Sequence, residues 1–349
     1  MRVKFMQLPR AVLVGKGTLS RINELCRELK LKGKALIVSG PVTYRIAGER
    51  LGDVLEEEHD VEVVITKEAS LEEVERVKGI VLKRDVDFLA GVGGGRVIDI
   101  AKLVSKETER EFLSVPTAAS HDGIASSRAS LRRGNSTVSI PARAPLGVLA
   151  DTEIIRKAPY RLIASGCGDI VSKFTAVKDW ELAHRVKGEE ISEYAAALSL
   201  MTAKIIMDSK ELIRKQKEES VRKVVKALIS SGVAMSIAGS SRPGSGSEHK
   251  FSHALDAISQ APSLHGEQCG VGSIMMMYLH RGDWMEIRDA LRKIGAPTNA
   301  EELGVEEEHV IEALMRAHLI RPQRYTILGD KGLSRKEATE LAEATGVIG

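Results

Sequence analysis

A strand that runs into glycines sets the architecture. Residues 88–92, Phe-Leu-Ala-Gly-Val, are apolar and read as a fully buried strand. Gly93, Gly94 and Gly95 follow, and then the helical spacing of residues 96–102, Arg-Val-Ile-Asp-Ile-Ala-Lys. A strand buried on both faces belongs in a parallel sheet covered by helices. The flanking segments agree. Residues 10–14, 35–39, 61–66 and 112–115 read as strands, with stops at Gly40-Pro41 and Pro116. Residues 18–29 and 71–83 carry helical spacing. Ser70 is the expected N-cap of the latter, with Glu73 completing a capping box.

The pattern changes after Ser130. Gly134-Asn135 predicts a hairpin-like excursion, and a last strand precedes Asp151. From Ile154 onward helical periods dominate, notably over residues 191–207 and 221–238. Met275, Met276 and Met277 read as core filler. Ser334 and Glu337 form a capping box for a terminal helix that stops at Gly346. The expected organisation is therefore residues 1–152 as one α/β domain and residues 153–349 as a second, all-α domain.

Composition excludes several roles. Fifty-one basic against 48 acidic residues leave a net charge of +3, and aromatics are 3% of the chain. Neither a phosphate-seeking surface nor a base-stacking platform follows, so no nucleic-acid partner is expected. Cys26, Cys167 and Cys269 are odd in number and far apart, which fits no disulfide framework and no zinc ribbon. No run approaches a membrane span and the N-terminus shows no signal-peptide pattern. A cytoplasmic protein, not integral to a membrane, is the expectation. The clusters Glu56-Glu57-Glu58 and Glu306-Glu307-Glu308 read as solvated helix ends.

Two constellations carry chemistry. Gly91, Gly93, Gly94 and Gly95 close a strand and open a helix, where backbone can approach a pyrophosphate and free N–H groups can bind it. The spacing is Gly-x-Gly-x-x-Arg, so the third glycine of the dinucleotide fingerprint is missing. A tight turn without ligand is the plain alternative. Residues 114–120, Ser-Val-Pro-Thr-Ala-Ala-Ser, end a second strand in hydroxyls. Downstream stand one carboxylate and three imidazoles: Asp169, His249, His253 and His265. One carboxylate with two neutral imidazoles makes a three-donor divalent metal site with an open position. Asp169 sits in a Gly-Cys-Gly-Asp turn expected to open a helix, where N-capping is the plain alternative. His249 and His253 are one helical turn apart. His265 precedes Gly266 and Glu267 in an expected loop. Each histidine alone could be an ordinary core or surface residue.

The motif order carries a resemblance. Gly-Gly-Gly-x-x-x-Asp-x-x-Lys, Pro-Thr-x-x-Ser, Gly-Asp-x-x-Ser-Lys, Glu-His-x-x-x-His and His-Gly-Glu resemble the iron-containing alcohol dehydrogenase and glycerol dehydrogenase superfamily, with dehydroquinate synthase a more distant relative. Residues 120–128, Ser-His-Asp-Gly-Ile-Ala-Ser-Ser-Arg, and residues 244–256 are similar to the archaeal sn-glycerol-1-phosphate dehydrogenases. The resemblance implies an N-terminal Rossmann-like, parallel-sheet nucleotide-binding domain, an all-α C-terminal domain, and an active site in the cleft between them. It implies one zinc ion per subunit with Asp169, His249 and His265 as ligands. An Asp-His-His set also accepts iron or nickel. Asp122 and His253 would face the substrate as catalytic groups, beside Asp169. Gly93, Gly94, Gly95, Arg96, Val97, Ile98, Asp99, Thr117, Ala118, Ala119, Ser120 and Ser126 would touch NADH or NADPH.

The implied reaction is reduction of dihydroxyacetone phosphate to sn-glycerol 1-phosphate, the backbone of archaeal ether phospholipids, by a homo-oligomer (dimer or octamer). A glycerol or alcohol dehydrogenase acting on an unphosphorylated substrate is the alternative, and a carbon–oxygen lyase with transient NAD chemistry a third. Relatives often carry an acidic residue for the adenine ribose where this strand ends Ser39-Gly40-Pro41. Nothing there repels a 2′-phosphate, so strict NAD selectivity is not expected. Arg128, Arg242 and Lys250 stand next to the motifs and are the candidates for the substrate phosphate.

Overall fold

The computed structural model describes residues 6–133, 136–259 and 263–349. Six parallel strands lie in the order β1 (Ala11–Gly15), β8 (Gly147–Asp151), β5 (Glu111–Pro116), β4 (Phe88–Gly93), β2 (Lys34–Ser39), β3 (Asp60–Ile65). The alternation of side chains divides each strand between two cores. Ala35 and Ile37 join Phe88, Ala90 and Leu113 on one face, under the helices Ile22–Leu29 and Glu49–Leu55. Leu36 and Val38 join Leu89 and Phe112 on the other, under Leu71–Lys83 and Gly95–Thr108. That second core continues into the helical half through Ile163, Ile170, Leu228 and Ile274, so the α/β and all-α parts share buried surface.

β2 and β4 are neighbours, in register from Ala35↔Phe88 to Ser39↔Val92. From them the chain runs outward in opposite directions, to β3 and to β5. A crevice opens beyond the carboxyl ends of strands at such a reversal. The glycines lie there: Gly94 caps the helix Gly95–Thr108, and Thr117 N donates to Gly93 O at 3.0 Å.

Local expectations need some correction. Residues 18–29 begin as a 3₁₀ turn, Thr18–Arg21, before the α-helix Ile22–Leu29. Ser70 caps its helix by accepting Glu73 N–H, but the Glu73 carboxylate turns to Arg76 and Lys67 N instead of closing the box. The guanidinium one turn along offers two hydrogen bonds where the box offers one. β6 (Arg128–Arg133) and β7 (Ser136–Pro141) pair antiparallel as the expected excursion. The Gly134-Asn135 turn itself lies outside the described residues. Asp151 ends β8. Its carboxylate accepts Gly17 N–H, Leu19 N–H and Glu153 N–H, pinning the first turn of the chain to the first helix after the sheet.

Candidate active site

A groove with about 1740 Å³ of free volume runs along the glycine turn. Gly94, Gly95, Arg96, Val97, Thr117, Ala118 and Ser120 line it. Gly93, Ile98 and Ala119, also expected at the cofactor, are not part of that lining. Asp99 and Ser126 face a smaller cavity of about 780 Å³ instead. Gly40 and Pro41, the strand end expected beside the adenine ribose, stand on the far wall with Val42 and Thr43; the rest of that wall carried no signal in the sequence, Thr66 to Glu68 from the end of β3 and Leu162, Ser165, Ser263 and Leu264 from the helical half. The groove is therefore walled from both halves of the chain.

The smaller cavity holds Asp122, His249, His253 and His265. Asp169 and His265 come from two helices, Tyr160–Val171 and His265–Leu279, packed at backbone contact. Two expectations fail here. Asp169 is not an N-cap; it lies in the last turn of the first helix. His265 is not in a loop; it is the first residue of the second helix. The glycines around them are used for closeness, not for turning. A Cβ on Gly168 would sit 2.3 Å from Gly266 O, one on Gly266 2.0 Å from Ser165 O, and one on Gly166 2.1 Å from Ala119 O. Arg161 and Glu267 lock the same two helices with a bidentate pair, Nε to Oε1 at 2.6 Å and a terminal nitrogen to Oε2 at 2.7 Å.

His249 and His253 project from the helix Ser247–Ile258. His249 Nε2 lies 3.7 Å from Asp169 Oδ1, and the His249 and His265 rings are 4.9 Å apart. Among the described residues His249, His265 and Cys269 also bring donor atoms within 4.8 Å of one another, enough to hold a metal ion. Burial pushes the Cys269 thiol well above its ordinary range, so it is protonated, whereas the imidazoles are ready donors. Burial, with the neighbouring Lys173 charge, holds His249 well below the usual imidazole value. Burial also lowers His265 and His253. All three are neutral at pH 7.

A shell of hydrogen bonds fixes which nitrogen each ring offers. Glu248 Oε1 accepts from His249 Nδ1 at 2.8 Å and from Gly246 N, which leaves the His249 Nε2 lone pair toward Asp169. Ser252 accepts from His265 Nδ1 at 3.0 Å and passes its own proton to Gln268 Oε1, whose amide nitrogen donates to Asp256. Such partners set tautomer and aim. Burial and Asp179 push Glu248 up to about 7. For Asp169 burial favours the neutral acid, but the Lys173 ammonium and the hydrogen bond it donates outweigh it and hold the carboxyl below its ordinary range. Lys173 Nζ bridges Asp169 Oδ1 at 2.6 Å and Asp122 Oδ2 at 3.0 Å, and Asp122 N donates to Asp169 Oδ2 at 2.8 Å.

The three candidate phosphate cations separate. Arg128 lines the cavity. Arg242 is committed to Glu189 and Tyr325 O, and Lys250 lies outside the lining. The residue missed is Arg321. It lines the cavity and is held at a left-handed φ of 49°. Among the described residues it has no carboxylate partner. Burial lowers its pKa, as burial and the Arg321 charge lower that of Arg128. Two desolvated guanidiniums without carboxylate partners are an anion-seeking pair.

Residues 13–159 match the iron-containing alcohol dehydrogenase family. Over 346 residues the chain is 60% identical to a glycerol-1-phosphate dehydrogenase [NAD(P)+] of Methanosarcina mazei, covering 99% of this chain and 97% of that one. It is 54% identical to the protein of the same name from Pyrococcus furiosus over 343 residues, 98% of this chain and 99% of that one. The chain belongs to the glycerol-1-phosphate dehydrogenase family. It is an oxidoreductase, as expected from the motifs. The fold matches that of a glycerol dehydrogenase from Schizosaccharomyces pombe, at a TM-score of 0.83 and 20% identity over 99% of this chain and 91% of that one. It also matches a probable glycerol dehydrogenase from Sinorhizobium meliloti, at 0.81 and 20% over 99% and 98%. The expected α/β-then-helical, two-part dehydrogenase architecture is borne out. No helix among the described residues is long and apolar enough to cross a membrane.

For a member of this family, part of what the sequence reading missed was available. Lys173 and Glu248 stand inside the motifs Gly-Asp-x-x-Ser-Lys and Glu-His, and a buried lysine or glutamate there has to be paired. Arg321 carried no such signal, being 54 residues beyond the end of the nearest motif, His265-Gly266-Glu267.

Proposed function

We propose that the protein reduces dihydroxyacetone phosphate to sn-glycerol 1-phosphate with NADH or NADPH, at a zinc ion held by Asp169, His249 and His265, and so supplies the backbone of archaeal ether phospholipids. Residues 1–152 would bind the nucleotide and residues 153–349 would carry the metal and substrate groups. The observation that carries this reading is the meeting of the two cavities: the groove and the histidine pocket share His121 and His265, so a nicotinamide in one reaches a ketone in the other.

The donor set fits a divalent metal. Two neutral imidazoles have their outer nitrogens held by Glu248 and Ser252, and one carboxylate is kept ionised by Lys173. When bound, the metal supplies Lewis-acid polarisation of the carbonyl and the nicotinamide supplies the hydride. The chain's own groups do the rest. Asp122, fixed through Lys173 and Ser231, offers a carboxylate oxygen to a substrate hydroxyl. His253 lines the cavity beside His265, at 5.7 Å between rings, and hydrogen-bonds the oxygen that takes up a proton. Arg321 and Arg128 favour a phosphorylated substrate over a plain alcohol.

A substrate pair tests the reading. Wild-type protein should oxidise NADH with dihydroxyacetone phosphate far faster than with dihydroxyacetone, and chiral analysis should give the sn-1 product. Arg321→Ala should raise KM for the phosphate ester about tenfold or more, the scale of one charge-assisted contact, and leave dihydroxyacetone unchanged. Equal turnover of both ketones by wild type would replace this reading with a phosphate-blind alcohol dehydrogenase.

A further inference from the structure

Lys102 ends the motif Gly-Gly-Gly-x-x-x-Asp-x-x-Lys, yet it lines neither cavity. It stands on the helix Gly95–Thr108 with its side chain fully buried. A buried ammonium is stable only beside acceptors that replace its lost hydration. Three do so here: Asp99 Oδ1 at 3.0 Å, Gly123 O at 2.7 Å and Arg128 O at 2.7 Å. An ammonium has three protons, so none is left for a ligand. Asp99 Oδ2 in turn accepts the Ser130 N–H at 2.9 Å. The Asp99–Lys102 pair therefore holds residues 123–130 at three backbone points, and that stretch joins the turn of Asp122 to the strand of Arg128.

We propose that Lys102 is the positioning residue for Arg128: it fixes the root of the β6–β7 hairpin on the helix after the glycine turn, and so aims the Arg128 guanidinium at the substrate phosphate. The proposal rests on the phosphorylated substrate argued above. β6 and β7 form a two-stranded sheet of their own, apart from the six-stranded one. The Arg128 side chain bonds across that hairpin, Nε to Ser139 Oγ at 3.2 Å and Nη2 to Ser139 O at 2.6 Å. Ser139 pairs with Ser130, so it moves with Arg128 and does not anchor it. Lys106 Nζ reaches Pro141 O, opposite Arg128, at 2.7 Å, but at the surface, where water competes. The far end of the strand is tied separately, by Arg132 N to Ala69 O. Ala129 and Leu131 pack into the apolar core, and such contacts are non-directional. The buried bonds of Lys102 and Asp99 are directional and charge-assisted. Asp122 differs: Lys173, Ser231 and its own N–H to Asp169 hold it without Lys102. Loss of Lys102 is therefore felt first at Arg128.

A double-mutant cycle on the intact protein tests this, with dihydroxyacetone phosphate and dihydroxyacetone as the two substrates. Lys102→Met keeps the length of the side chain and removes its donors. It should raise KM for the phosphate ester about tenfold, the scale of one charge-assisted contact, against no more than about threefold for dihydroxyacetone. Placed on Arg128→Ala, it should raise KM for the ester by no more than about twofold, because the group it aims is gone. A merely structural role gives equal losses on both ketones and the same further loss on Arg128→Ala, and either result overturns the assignment. If Lys102→Met does not fold, Lys102→Gln keeps an amide donor on a head one bond shorter. It enters the same cycle, and wild-type KM for the ester there overturns the assignment too. A defect in Arg128→Ala with none in Lys102→Met overturns the role of Lys102 alone. Wild-type KM in Arg128→Ala removes Arg128 from the phosphate seat, and equal turnover of both ketones by wild type removes the phosphate reading itself; both take this assignment with them.

Discussion

The groove along Gly94 to Val97 is walled mainly by backbone and small side chains, whereas the cavity beside it is walled by His249, His253, His265, Asp122 and Arg321. The first is shaped by what is missing, a set of Cβ atoms and one turn of helix hydrogen bonds. The second is shaped by what is locked: His249 is aimed by the Glu248 carboxylate and His265 by the Ser252 hydroxyl, while the Asp169 and Glu248 carboxylates are paired with Lys173 and Thr175. A backbone site tolerates change in its surroundings. A locked polar network does not, because each member removed leaves a buried partner unsatisfied.

Removing a member of the locked network should have the largest effect. His265→Ala takes away a proposed metal donor and frees the Ser252–Gln268–Asp256 chain. Metal content of the purified variant should fall to near zero and activity with it, while circular dichroism stays native. A variant that keeps one metal per chain with normal turnover would remove His265 from the metal site and break the contrast between the two regions.

His253 asks whether the network extends to the substrate. Among the described residues its ring makes no hydrogen bond with the protein, and it faces the cavity on the same helix as His249. A fourth protein ligand would leave no position for a ketone oxygen. His253→Ala should keep its metal and lose turnover about a hundredfold or more, in the range of acid–base groups. A rise in KM with turnover intact would make it a gripping residue only. Metal loss would place it in the ligand set.

One substitution made in both regions sharpens the comparison. Gly168→Ala forces a methyl against Gly266 O and pushes apart the helices that carry Asp169 and His265. It should cost about 1–3 kcal/mol of stability, the usual range for overpacking, and weaken metal binding as well. Gly94→Ala meets nothing within 4 Å at a φ of −78°, so its melting temperature should stay unchanged while cofactor affinity falls. Equal destabilisation of the two in thermal melts would end the distinction.

These glycines also mark where sequence stopped being informative. The run at Gly93 to Gly95 was legible because strand, glycines and helix occur in order, and backbone requirements leave that trace. Gly168 and Gly266 leave the same letter for another reason, close approach of two helices, and Gly166 for close approach of its helix to the backbone of Ala119. Reading them as turn formers put Asp169 at a helix start and His265 in a loop. Apolar runs stopped by Gly and Pro did locate the sheet strands, and helical periodicity the segments 71–83, 191–207 and 221–238, since burial of a helix face repeats along the chain. Arg321 had no local pattern to show, because its position depends on where a distant segment returns to the cavity.

The smallest effect belongs to the groove. Gly40 ends β2 at φ −87° and ψ 164°, a conformation open to any residue, and it lines the groove with Lys67 and Glu68. A Cβ there would meet Thr43 Oγ1 at 3.3 Å and Val97 Cγ2 at 3.7 Å, so a side chain fits with a slight shift. With no acid at this strand end, NADH and NADPH should be used within about tenfold of each other, roughly 1.4 kcal/mol. Gly40→Asp should move kcat/KM toward NADH by about the same factor, through repulsion of the 2′-phosphate. That repulsion acts across an open groove, so raising the salt concentration should shrink the preference. A preference that ignores salt would mean the carboxylate acts by hydrogen-bonding the ribose instead. Wild-type rejection of NADPH by orders of magnitude would mean that this strand end does not set the choice, and that a groove of backbone and small side chains discriminates more sharply than its chemistry allows.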